Sequence, residues 1–280
     1  MNNKINKLPY FLYSYVLLSC VFQDVHGQHA AIPKSKNKLV VIAHRGNHTN
    51  AQENTIAAYS NAITAGADYV EIDLRTSKDS QLVIMHDGSV NRMTNGTGKV
   101  NSLTWAELQQ LKVIEKNHPE WPEQAIPLFN EVLQLCKGKI NIYLDFKDAD
   151  VKATYIALVK AGMQQSVIVY INAAHQFTEW KTIAPQIPLM LSMPDSIKSA
   201  PQLNSFLNQY NIGILDGSFK EYSLEMVKTA TDKNVPVWPD IQSANEGPAL
   251  WESVINMGFA GLQTDHPEAL ILFLKNKKLR

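Results

Sequence analysis

Cysteine is nearly absent from this 280-residue chain, with Cys20 and Cys136 its only two. A cysteine-based zinc cluster is therefore excluded, and at most one disulfide is possible. Charge of one sign is also missing. Lys plus Arg total 26 and Asp plus Glu total 26, so the formal charge is zero. No basic stripe of the kind that holds nucleic acid is expected, although a local positive pocket is compatible with the balance. No stretch rich in Pro, Gly or Ser separates the chain into parts, which predicts one domain. Disorder is excluded by a hydrophobic content of 45%.

The one long apolar run lies at the start. Lys4 and Lys7 precede Leu8 to Phe22, a stretch of 15 residues without a charge. That is short for a membrane span. Val25 and Gly27 place small residues three and one before a cut ahead of Gln28. Residues 1–27 read as a secretory signal peptide, and residues 28–280 as the working domain. Export to a periplasm or to the medium follows. Leu17-Leu18-Ser19-Cys20 also resembles a lipobox, so a lipid anchor at Cys20 is a second route. With residues 1–27 removed, only Cys136 remains and no internal disulfide forms. The mature domain has no segment for stable membrane insertion.

After residue 28, short apolar β-branched runs alternate with helix-period segments. Strands are predicted at 39–43, 69–74, 140–146, 167–170, 189–193, 212–215, 235–238 and 261–263, with an extra short one at 82–85. Helices are predicted over 53–65, with Asn54 as N-cap, and over 104–111, 128–136, 151–161, 173–183, 199–208, 223–233, 247–257 and 267–275. Eight βα units in about 250 residues is the size of a (β/α)8 TIM barrel. A doubly wound open sheet alternates too, but with fewer strands. Residues 99–127 form a small insertion after the second strand, a candidate lid.

In such a barrel, chemistry gathers where strands end. Here the first strand ends in His44-Arg45-Gly46, the second carries Glu71 and Asp73, the short one ends in His86-Asp87, and the third barrel strand carries Asp145 and Lys147. Residues i and i+2 of a strand share a face, so Glu71 and Asp73 project together, as do Asp145 and Lys147. Three carboxylates converging from two strands suit a hard divalent cation, Ca²⁺ or Mg²⁺. A salt-bridge network among Glu71, Asp73, Arg75 and Lys147 is the competing reading. His44 and His86 form an acid/base couple beside Arg45, a fork for phosphate, and Lys147, a point charge. This set reads as phosphodiester chemistry. Asp87 either orients His86 or caps a turn. Trp105, Trp121, Trp180 and Trp251 read as packing residues, Met190 and Met193 as core, and His48, His118, His175 and His266 as surface or capping residues.

The run from His44-Arg45-Gly46 through Glu53-Asn54-Thr55, Gly66 to Leu74, Leu82 to Asp87 and Arg92 to Gly98 resembles the glycerophosphodiester phosphodiesterase family. Weaker echoes continue at 141–147, Val237-Trp238 and 258–267. The resemblance implies a TIM barrel, one divalent cation, and hydrolysis of a small-molecule glycerophosphodiester to sn-glycerol 3-phosphate and an alcohol. Carried over by motif, His44 and His86 are the acid/base pair, and Glu71, Asp73 and Asp145 the metal ligands. Arg45 and Lys147 hold phosphate, Glu53 sits at the rim, and Trp238 lines the glycerol or head-group pocket.

Three departures from the pattern stand out. Asp145 replaces the usual glutamate, Pro239-Asp240-Ile241 replaces Thr-Val-Asn, and Phe259-Ala260-Gly261 replaces Val-Asp-Gly. Two other functions compete. One is cleavage of an intact phospholipid, which needs an apolar rim. The other is a barrel that binds phosphoesters without turnover, which has no need of both histidines.

Overall fold

In the computed structural model, the described residues are 30–280. The expected signal peptide and Cys20 lie outside them. Among the described residues no helix is long and apolar enough to cross a membrane.

Among the described residues there are eight strands: β1 (Val40–Ala43), β2 (Tyr69–Thr76), β3 (Leu82–Ile84), β4 (Asn141–Phe146), β5 (Val167–Ile171), β6 (Leu189–Ser192), β7 (Ile214–Asp216) and β8 (Gly261–Thr264). Helices α1 (Ile56–Ala65), α2 (Trp105–Leu108) and α3 (Phe129–Cys136) come early. Next are α4 (Val151–Ala161), α5 (Ala174–Ile183) and α6 (Ala200–Gln209), and then α7 (Leu224–Asp232), α8 (Pro248–Asn256) and α9 (Pro267–Asn276). The parallel order is β7-β6-β5-β4-β2-β1-β8, with β3 antiparallel on the far end of β2. This is the expected TIM-like barrel.

One expected strand, 235–238, does not form a regular strand. Pro236 and Pro239 have carbonyls but no N–H, so the ladder cannot run continuously. The segment still closes the barrel. On one side Leu215 N–H donates to Pro236 O (3.0 Å), Trp238 N–H to Leu215 O (2.9 Å) and Asp240 N–H to Gly217 O (2.9 Å). On the other, Ala260 N–H donates to Val237 O (3.2 Å), Gln263 N–H to Pro239 O (3.0 Å) and Ile241 N–H to Gln263 O (3.0 Å).

The two faces of each strand follow the period of two. Val41, Val70, Ile72, Leu74, Ile142 and Leu144 face the helices in the main core. Val40, Ile42, Tyr69, Tyr143, Ile168, Met190, Ile214 and Trp238 fill the barrel interior. The interior phase of β2 therefore runs Tyr69, Glu71, Asp73, and that of β4 runs Tyr143, Asp145. Each begins as an apolar floor and ends as a polar mouth. The insertion after β3 packs on its own small core of Val90, Met93, Val100, Leu108, Val113 and Ile126 beneath Val83 and Met85.

Candidate active site

The polar mouth begins with a tight turn after β1. Arg45 takes a left-handed conformation (φ 51°) and Gly46 another (φ 88°). A Cβ on Gly46 would sit 2.8 Å from the Ala58 carbonyl carbon, so the turn needs glycine on both steric and backbone grounds. The turn aims the Arg45 N–H at Glu71 Oε2 (2.7 Å). Asn54 also has a positive φ (57°). It is not the N-cap of α1. Thr55 is, its hydroxyl accepting from Ala58 N–H. The Asn54 side chain is used elsewhere. Its Nδ2 donates to Asp73 Oδ2 (2.6 Å), and its Oδ1 accepts from the Tyr59 hydroxyl (2.7 Å).

Glu71, Asp73 and Asp145 each offer an oxygen, and the three lie within 4.8 Å of one another. Lys147 stands among them, 3.1 Å from Asp73 Oδ1 and bonded to Asp145. Asn172 Nδ2 supports Asp145 Oδ1 at 2.6 Å. Arg75 is not part of this set. It pairs with Asp148 and donates to the Met85 and His86 carbonyls. Burial, reinforced by the Asp73 and Asp145 charges, pushes the Glu71 carboxyl well above the usual range. Burial also acts to raise Asp73, but Lys147, His86 and Arg45 outweigh it and hold that carboxyl low. Burial and the Asp73 charge raise Asp145 against the pull of Lys147. Two buried carboxylates and a partly buried third thus face Arg45 and Lys147, with His86 beside Asp73. The all-oxygen donor set and its excess negative charge fit a hard divalent cation.

The two histidines are held alike. His44 Nδ1 lies 2.7 Å from Asp265 Oδ1, and His86 Nδ1 lies 2.7 Å from Asp87 Oδ1. A carboxylate partner assigns the proton to Nδ1 and leaves Nε2 for chemistry. Asp87 therefore orients His86. Asp265 also accepts from His48 Nε2 (3.1 Å), so His48 belongs to the site's support rather than to the bare surface. Burial works to raise Asp265, but the two histidine hydrogen bonds hold it well below the usual carboxylate range. His44, His48 and Asp265 also lie close enough to hold a metal, but these hydrogen bonds account for the cluster.

Arg92, from the loop that follows β3, ties the site together. Its Nε donates to Asp87 Oδ2 (2.7 Å) and its Nη2 to Glu53 Oε1 (2.7 Å). Glu53 accepts in turn from Arg45 Nη1 (3.1 Å). Glu53 thus contacts two arginines, Arg45 and Arg92. Asp265 and Arg92 had no role assigned from sequence. Asp265 follows β8 directly, so the strand-end rule applied to the last strand locates it. Arg92 carries no such signal, because it reaches the site across a loop.

His44, Arg45, His86, Asp145 and Lys147 line one cavity of about 350 Å³. Trp238 does not line it. The indole is 3% exposed and packs edge-on to Tyr69, with ring centroids 4.9 Å apart. It covers Gly261, where a Cβ would meet the ring at 2.8 Å. Trp238 projects in the same interior phase as the floor residues, and bulk at that level plugs the barrel. The mouth above it is walled by Asp216, Asp240 and Gln263.

Residues 44–269 match the model of the glycerophosphoryl diester phosphodiesterase family. A glycerophosphodiester phosphodiesterase of Caldanaerobacter subterraneus subsp. tengcongensis is 30% identical over 84% of this chain and 97% of its own. One from Bacillus subtilis is 26% identical over 97% of both chains. The crystal structure of the Agrobacterium tumefaciens enzyme shares the fold with a TM-score of 0.74 at 21% identity, covering 84% of this chain and 99% of that one. An Oleispira antarctica phosphodiesterase, solved with its product sn-glycerol-3-phosphate, gives a TM-score of 0.73 at 23% identity over 84% and 96% of the two chains. By sequence match and by fold, the chain belongs to the glycerophosphoryl diester phosphodiesterase family and is an enzyme of that class.

Proposed function

We propose that this protein hydrolyses glycerophosphodiesters to sn-glycerol 3-phosphate and an alcohol, with His44 and His86 exchanging protons. The observation that carries this is the paired anchoring of two imidazoles, each through Nδ1 to a carboxylate, beside Arg45 and Lys147 in one cavity. Nε2 of one ring takes the proton of the nucleophile, and Nε2 of the other returns one to the leaving alkoxide. The nucleophile is water or the neighbouring glycerol hydroxyl. The second route passes through a cyclic phosphate and is recognised by phosphorus NMR in a slow variant. Arg45 grips a phosphate oxygen, while Lys147 balances charge between the acidic strands and the substrate. Glu71, Asp73 and Asp145 would hold Ca²⁺ or Mg²⁺, whose charge supports the developing phosphorane.

The test is release of glycerol 3-phosphate from glycerophosphodiesters, with and without chelator. Loss of activity with chelator and a fall of about 10²–10⁴-fold in His44→Ala are expected. Full activity in the His44→Ala, His86→Ala double variant overturns the assignment. Export through residues 1–27 is part of the same proposal, supported by Lys4, Lys7 and the uncharged run that follows. N-terminal sequencing of the exported protein should begin at Gln28, and a lipid-modified Cys20 would replace that reading.

A further inference from the structure

The wall of the cavity opposite the acidic strands has no assigned role. In the barrel order, β7 and the closing segment lie across from β2 and β4, and β8 stands between that segment and β1. From that wall come Asp216, Asp240 and Gln263, all lining the cavity. Asp216 is 3% exposed and Gln263 is 6% exposed. Asp216 Oδ2 accepts from the Tyr143 hydroxyl (2.9 Å), and Asp240 accepts from Gln263 Nε2. Asp216 Oδ1 and Gln263 Oε1 have no donor. Two buried acceptors without donors carry a desolvation cost that an occupant with hydrogens would remove.

We propose that this wall is a subsite for a primary ammonium group, so that the preferred substrates are phosphodiesters of an amino alcohol bearing N–H hydrogens. The proposal rests on the hydrolase reading and names the head group it selects. Hydroxyl hydrogens satisfy acceptors but leave two neighbouring carboxylates repelling each other. An ammonium group does both, through short charge-assisted hydrogen bonds. A trimethylammonium group supplies charge but no hydrogens. Burial, then the Asp240 charge, push Asp216 above the usual carboxylate range, and burial raises Asp240, consistent with negative charge awaiting a counter-ion. His44 is the basic side chain that faces Asp240, and it belongs to the acid/base pair; none acts on Asp216. Arg45 and Lys147, the lysine and arginine of the cavity lining, are committed to Glu53, Asp73 and Asp145. The Tyr143 and Tyr170 rings, 6.0 Å apart, line the same space. With the proposed divalent cation bound, the cavity would be cationic where phosphate binds and anionic across from it, a match for a zwitterion.

The test compares kcat/KM for glycerophosphoethanolamine, glycerophosphocholine and glycerophosphoglycerol, in wild type, Asp216→Asn and Asp240→Asn. Wild type should favour the ethanolamine diester over both others by about tenfold or more, and each variant should shrink that ratio severalfold. Equal use of the three diesters overturns the proposal. So do variants that slow all three alike, since that assigns the wall to the glycerol hydroxyls they share. Calorimetric titration with phosphoethanolamine and phosphocholine reads the subsite without turnover. Tighter phosphoethanolamine binding in wild type supports it, and equal or weaker binding overturns it even where a variant fails to fold. Hydrolysis of none of the diesters sinks the hydrolase reading, and the titration still decides the subsite.

Discussion

Asp265 accepts from two imidazoles at once, and its removal has two separable effects. Asp265→Asn keeps the shape but loses the fixed tautomer of His44. A fall in kcat of about 10²–10⁴-fold, with KM little changed, is expected from steady-state kinetics. The second effect is on stability. The folded carboxyl lies below its unfolded value of about 3.9, so its contribution is fully present above that pH and is lost as pH falls through the folded value. Urea unfolding of wild type and Asp265→Asn should therefore differ at pH 5–7 and converge as the solution is acidified below about 4. The positions of His44, Arg45, Glu71, Asp73, His86, Asp145 and Lys147 are legible because each is a polar residue within or just after a strand whose neighbours are apolar. Asn54 was misread as a cap because its type suits both jobs. Its hydrogen bond to Asp73 depends on a positive φ that sequence spacing does not reveal.

At the scale of elements, the alternation of strands and helices was plain in the chain, and the strand and helix boundaries agree within a few residues. The exception is 235–238, where apolar residues suggested a strand but Pro236 and Pro239 forbid its ladder. Both prolines stand in the sequence and mark the segment as interrupted. Trp238 was placed correctly along the chain and wrongly in depth, since periodicity gives the face a residue takes but not its level in the barrel. As a floor residue, Trp238→Ala should cost about 3–5 kcal/mol, measured as a lower urea midpoint. A raised KM at unchanged stability would return the indole to the pocket.

For the whole molecule, the zero net charge conceals a concentration of both signs at the barrel mouth, with Glu71, Asp73 and Asp145 interleaved with Arg45, Arg92 and Lys147. The cation proposed for Glu71, Asp73 and Asp145 binds the folded state, so Ca²⁺ or Mg²⁺ should raise Tm in a concentration-dependent way. Differential scanning fluorimetry should show that shift abolished by chelator and in Glu71→Gln. Cys136 is fully buried in the main core, and burial pushes its thiol up to about 12. It should resist thiol reagents in the native protein and react at once after denaturation. Loss of the folded state's protection is then countable by mass.

The proline-interrupted closing segment also sets where the barrel yields. Tyr143, Leu144 and Phe146 sit in continuous ladders on both sides, whereas residues 235–241 hang between β7 and β8 by scattered bonds. A hoop opens at its weakest stave. Amide hydrogen exchange should be fastest, among the strand-forming residues, at Trp238 and Asp240, and slowest on β4. Breathing of the barrel is thereby confined to one arc and spares the arc carrying Glu71, Asp73 and Asp145.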